Sequence, residues 1–244
     1  MNRACLVTCP AGVPLTAEML ENGNVPLPDC FAYGRQLIRI LKTVHNAGFL
    51  HCDIHPGNFI VDDEKKKVFL IDWELARRAK DQVEEKECCG VGMFGLYSIS
   101  FAELTTLSPA AYLSDAFLRA MVARVPYVMT WRDDLISLGF ALLFLSNGNL
   151  PWIGSDCAEI LAARQNFDFP RWFRKYTETV TAMDNLDSSY ENLAAQLLEF
   201  GPKDKCSVIL QHARNPRRNG FECGKGLPCP HHNAKAKKWQ KANE

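Results

Sequence analysis

The segment HCDIHPGNFIVDDEKKKVFLIDWELAR, residues 51–77, sets Asp53, Asn58 and Asp72 around two short apolar runs, Phe59 to Val61 and Val68 to Ile71. Both runs are rich in β-branched and aromatic residues, and the charged stretch Asp62 to Lys67 separates them. The pattern predicts two strands joined by a solvated turn, a hairpin that brings Asn58 and Asp72 together.

Two carboxylates and an amide carbonyl are hard oxygen donors. Such a set suits a magnesium ion and a transferring phosphoryl group, with one carboxylate left to orient the attacking hydroxyl. In that arrangement Asp53 is the base, and Asn58 and Asp72 are the metal ligands.

His51-Cys52-Asp53-Ile54-His55-Pro56-Gly57-Asn58 resembles the catalytic loop of the protein-kinase superfamily, and Ile71-Asp72-Trp73-Glu74 stands where that family has its Asp-Phe-Gly metal motif. A second stretch, Arg132 to Gly139 followed by Leu150-Pro151-Trp152, resembles the central buried helix of the large lobe in casein-kinase-one-like protein kinases. In that family the Asp at position 134 ties the helix to the catalytic-loop backbone. A carboxylate at the mouth of an apolar helix is equally suited to be its N-terminal cap, so both roles stand open for Asp134. Between the two matches, Cys88-Cys89-Gly90 and Val91 to Ser98 lie where an activation segment belongs.

The resemblance implies an α+β, protein-kinase-like fold with a mainly helical C-terminal lobe and short β-hairpins. It implies ATP and Mg2+ as cofactors, Asp53 and His55 as catalytic residues, and Asn58 and Asp72 on the metal. Ala4 to Thr8 resembles the last small-lobe strand entering the hinge, where backbone groups of Thr8, Cys9 and Ala11 would meet adenine. The family's glycine-rich loop, strand lysine and helix glutamate have no room before Met1, so we expect the N-terminal lobe to be missing.

Three residues depart from the protein-kinase pattern. Cys52 replaces the arginine that pairs with a phosphorylated activation loop, so control of that kind is not expected. His55 replaces the lysine usually set against the γ-phosphate. Imidazole is only partly charged at neutral pH and donates a hydrogen bond more than a full charge. Glu74 replaces a glycine, which restricts the metal loop because Glu lacks glycine's access to positive φ.

The His-x-Asp-x-His-Pro-x-Asn form also resembles aminoglycoside and choline phosphotransferases. Three functions follow from these resemblances: serine/threonine protein kinase, small-molecule phosphotransferase, and a pseudokinase or partial domain that binds protein partners. The longer match at the Asp134 helix favours the first over the second, whereas the expected absence of the small lobe argues for the third and for a chain inactive as given.

Elsewhere, Asp29 is the expected N-cap of a helix that buries Leu37, Leu41 and Val44, widened by Ile38 and Ile40, and ends at Gly48. Helical material is expected between Leu104 and Val125, with Leu113, Phe117, Leu118 and Met121 inward. Three amphipathic segments, roughly 157–164, 171–182 and 187–200, follow, with Trp172, Phe173, Leu193, Leu197 and Leu198 as packing residues. The composition shifts after Gly201-Pro202, so the kinase-like domain is read as 1–201 and residues 202–244 as a flexible tail.

That tail carries ten Lys or Arg against three Asp or Glu in a chain of zero net charge. It is a candidate contact for nucleic acid or another acidic partner. Its Cys223, Cys229, His231 and His232 do not match a structural zinc spacing.

The ten cysteines show no disulfide-framework spacing, and the N-terminus has no signal-peptide core. The longest nearly apolar run, Leu135 to Leu145, is too short to span a bilayer. A cytoplasmic or nuclear protein that does not enter membranes is expected.

Overall fold

The computed structural model describes residues 12–16, 23–62, 66–79, 109–125, 127–153, 155–183 and 189–200. Thr8, Cys9 and Ala11, the stretch Cys88 to Ser98 and the tail 202–244 lie outside the described residues.

The first long helix, α1, is Leu27–Asn46. Its buried positions Gly34, Leu37, Ile38, Leu41 and His45 repeat at helical spacing. Two expectations are corrected here. The helix starts before Asp29, with Pro26 as N-cap and Pro28 in the first turn, because a proline lacks only an N–H that the first turn leaves unbonded anyway. His45, not Val44, completes the buried stripe, and Val44 is half-buried. Gly48 follows with φ +81°, the left-handed position expected for it.

Two small sheets flank the loop that α1 delivers. Strands β1 (Val13–Pro14), β3 (Phe59–Asp62) and β4 (Lys67–Leu70) form an antiparallel sheet in the order β1-β3-β4. Phe59 pairs with Leu70 and Asp62 with Lys67. Phe59, Val61, Val68 and Leu70 turn inward while the residues between them face outward, the period of a half-buried strand. Pro14 is tolerated because β1 is an edge strand. A shorter ladder joins β2 (Phe49–Leu50) to β5 (Arg77–Arg78).

Helix α2 (Asp115–Ala123) is capped by Ser114, whose hydroxyl accepts the Phe117 N–H at 3.2 Å. Phe117 and Leu118 are buried as expected, with Leu113 and Met121 half-buried. Helix α3 (Trp131–Asn147) buries nearly every residue from Asp133 to Leu145. A helix apolar all round belongs inside, and the other helices pack about it.

Gly34 lets α1 approach closely, since a Cβ there would meet Leu142 Cδ1 at 2.8 Å. On another face of α3, a Cβ on Gly139 would lie 2.8 Å from the Tyr176 ring. Helix α4 (Cys157–Gln165) begins at a reciprocal cap, in which Asp156 accepts the Ala158 and Glu159 N–H groups and Glu159 accepts the Asp156 N–H.

Arg164 on α4 is buried. It donates to the Ala111 and Leu113 carbonyls at 2.7 and 2.8 Å and to Asp115 at 2.8 Å, and it lies over the Phe140 ring. Burial lowers its pKa to about 10, which leaves it charged at neutral pH.

Helices α5 (Arg171–Ala182) and α6 (Ser189–Glu199) complete the described core, through Trp172, Phe173, Leu193 and Leu197. Leu198 is instead 66% exposed, because it falls one residue off the stripe that Leu193 and Leu197 define. Among the described residues no helix is long and apolar enough to cross a membrane.

Gly139→Val places branched carbons where the Tyr176 ring already lies. We expect a loss of about 1–3 kcal/mol of unfolding free energy, measured by urea denaturation.

Candidate active site

The loop from His51 to Asn58 contains a residue in the left-handed region, Cys52 with φ 66°. A non-glycine residue there costs roughly 1–2 kcal/mol, so something else must hold it. Asp134, 1% exposed, does so. Its Oδ2 accepts the His51 N–H at 2.8 Å and its Oδ1 accepts the Cys52 N–H at 2.9 Å. His45 Nε2 lies 2.9 Å from Oδ2 and supplies a further donor.

The two roles open to Asp134 are thereby divided between neighbours. Asp133 serves the helix start, accepting the Thr130 N–H at 2.7 Å together with the Tyr127 and Ser114 hydroxyls. Asp134 reaches the loop.

His51 joins the loop to the metal motif. Its Nε2 lies 3.1 Å from the Ile71 carbonyl, an acceptor, so that nitrogen carries the proton. Nδ1 then accepts the Asp53 N–H at 3.3 Å. Burial pushes the imidazole pKa below its ordinary range, against the opposing pull of Asp134, the Ile71 carbonyl, Asp53 and Asp72. The Trp73 ring meets it edge-on at 4.6 Å. The Ile71 N–H in turn donates to the Asn58 carbonyl at 3.0 Å, so Asp72 enters the site from a backbone bonded on both sides of Ile71.

Asp53, His55 and Asn58 are in direct contact. Asn58 Nδ2 donates to the Asp53 carbonyl at 2.9 Å and to Asp53 Oδ2 at 3.1 Å. His55 Nδ1 accepts the Gly57 N–H at 3.1 Å, so Nε2 bears the hydrogen in the neutral ring; it lies 3.4 Å from Asp53 Oδ2. Burial by itself would raise the Asp53 pKa, but the hydrogen bonds and charge from His55 and the bond from Asn58 outweigh it. The carboxyl is held below its ordinary range and is ionised at neutral pH.

Asp72 is exposed and left-handed at φ 62°, and its Oδ1 accepts the Glu74 N–H at 3.4 Å. The positive φ of the metal loop therefore falls on Asp72. Glu74 is not among the positive-φ residues, so the missing glycine carries no backbone penalty in this conformation. Asn58 and Asp72 offer oxygen donors that fit a hard cation: with Asn58 Nδ2 committed to Asp53, its carbonyl Oδ1 is the atom that suits a metal.

These features can be compared with known proteins. The model of the protein kinase domain matches residues 4–215 of the chain. The chain belongs to the protein kinase domain family. It is also similar to casein kinase 1-like protein HD16 of Oryza sativa subsp. japonica, at 30% identity over 123 residues. That alignment covers 49% of this chain and 15% of the rice protein.

In this kinase domain Asp53, His55 and Asn58 are in direct contact and Asp72 follows Ile71, which is bonded to Asn58 and His51, while Thr8, Cys9 and Ala11 lie outside the described part. His45 and Tyr190, whose hydroxyl lies 2.5 Å from His45 Nδ1, were not anticipated. A histidine four residues after Leu41, on the apolar stripe of α1, was the signal for the first. For Tyr190 no local signal existed, because its partner is distant in the chain.

His51 titrates lower when folded than when unfolded, so the unfolded chain takes up the proton first as pH falls. The stability that neutral His51 contributes is complete above about pH 6.5 and is lost as pH falls below it toward the folded pKa. The stability difference between wild type and His51→Gln should therefore narrow between pH 7 and pH 5, read from urea midpoints.

Proposed function

We propose that this kinase domain supports transfer of the γ-phosphoryl group of ATP to a protein hydroxyl. The observation that carries the reading is the Asp53 carboxylate, held ionised and oriented by His55 and Asn58 on a loop clamped from the protein core. Asp53 would orient the hydroxyl and take up its proton as the new bond forms. Asn58 and Asp72 would hold Mg2+, which supplies charge neutralisation at the phosphate oxygens. His55, whose Nε2–H is directed at Asp53, would stand near the γ-phosphate and keep the base carboxylate oriented there. Similarity to a casein kinase 1-like protein supports a protein rather than a small-molecule acceptor.

One observation favours a second acceptor class. The histidine in place of the usual lysine is the feature that resembles aminoglycoside and choline phosphotransferases, and here it contacts the base directly. Casein, choline and an aminoglycoside, offered in parallel with labelled ATP, distinguish the two, and we expect label on casein.

The reading predicts a rise in melting temperature with Mg-ATP that Asp72→Ala abolishes. It also predicts a loss of about 10²–10⁴-fold in turnover for Asp53→Asn, with nucleotide binding retained. Absence of any Mg-ATP shift in the wild-type chain would overturn it and leave a partner-binding role, with the basic tail as a proposed contact for acidic partners.

A further inference from the structure

Tyr190 lies on α6, 145 residues along the chain from His45, and is 0% exposed. Its hydroxyl is 2.5 Å from His45 Nδ1, and His45 Nε2 is 2.9 Å from Asp134 Oδ2. The Asp134 carboxylate only accepts, so Nε2 carries the imidazole proton. In the neutral ring Nδ1 is then an acceptor, and the Tyr190 O–H donates to it. Asp134 also accepts the His51 and Cys52 N–H groups, so a continuous set of buried hydrogen bonds joins α6 to the loop that carries Asp53.

We propose that Tyr190 is a positioning residue for the catalytic loop: through His45 it orients the Asp134 carboxylate and so holds the left-handed backbone at Cys52. Without the phenol, the His45 ring would be fixed at only one nitrogen. Its ring could then tilt, and the carboxylate oxygen shared with the His51 N–H would lose its alignment. The predicted effect on rate rests on the phosphotransfer reading above, whereas the predicted effect on the loop does not.

An internal comparison separates positioning from packing. Tyr176 on α5 is also 0% exposed, but its hydroxyl donates at 2.8 Å to the Leu135 carbonyl of α3, a backbone atom that leads to no loop residue. Both tyrosines can become phenylalanine with the ring contacts kept. For Tyr190 those contacts are His45 at 5.9 Å and Trp131 at 6.2 Å.

The test is amide hydrogen exchange on the full chain, resolved at His51 and Cys52, for wild type, Tyr190→Phe, Tyr176→Phe and His45→Gln. We expect about fivefold faster exchange at these two amides in Tyr190→Phe, the size of one buried hydrogen bond. Tyr176→Phe should match wild type there. The double variant Tyr190→Phe/His45→Gln should exchange no faster than His45→Gln alone, because both changes break one path. In phosphotransfer assays Tyr190→Phe should lower kcat several-fold with the KM for ATP unchanged.

Unaltered loop exchange in Tyr190→Phe, or an equal rise in Tyr176→Phe, overturns the proposal. A wild-type chain without phosphotransfer overturns the functional reading instead, and the exchange comparison still decides the role of Tyr190.

Discussion

Asp134 is a carboxylate removed from water almost completely, and a buried charge persists only where its hydrogen-bonding capacity is met. Two backbone N–H groups and an imidazole meet it here. The same bonds offset the strain of the left-handed φ at Cys52, the residue before Asp53. Neither feature is stable alone: the carboxylate needs the loop's donors, and the loop's backbone needs the carboxylate. Since α3 is buried along most of its length, the loop is anchored to the most buried helix among the described residues.

The chemistry of the site follows from how protons are assigned around that anchor. His51 is neutral because burial outweighs the neighbouring negative charges, and its two nitrogens therefore have opposite roles. One bonds the metal-motif backbone at Ile71 and the other bonds the Asp53 N–H. Asp53 is ionised because His55 and Asn58 donate to it more effectively than burial penalises it. An ionised carboxylate and a pair of oxygen donors on two hydrogen-bonded segments are the groups that the proposed phosphotransfer would use for the acceptor hydroxyl and the metal.

Much of this arrangement was legible along the chain because it is encoded by short-range patterns. The hairpin of Phe59 and Leu70 and the helices after Asp156 follow from periodicity and turn residues, and α3 follows from the kinase resemblance of Arg132 to Gly139. The misreadings have physical reasons. Asp29 looked like a cap, yet two prolines allow α1 to begin earlier. Val44 looked buried because it is apolar, while the inward position belongs to a histidine whose polar atoms find partners on α3 and α6. Leu198 is apolar but points outward.

Local sequence determined which segments form helices and strands, which residues could supply base and metal oxygens, and the kinase resemblance those residues carry. Spacing along a single chain is sufficient for that, since helix and strand periods and motif lengths are local properties. Tertiary structure alone decided which of two adjacent aspartates caps α3 and which clamps the loop, which nitrogen of His51 bears its proton, and that Tyr190 closes a path back to the catalytic loop. Those outcomes depend on donors and acceptors brought together from distant parts of the chain, and on the burial that makes each unmet partner costly.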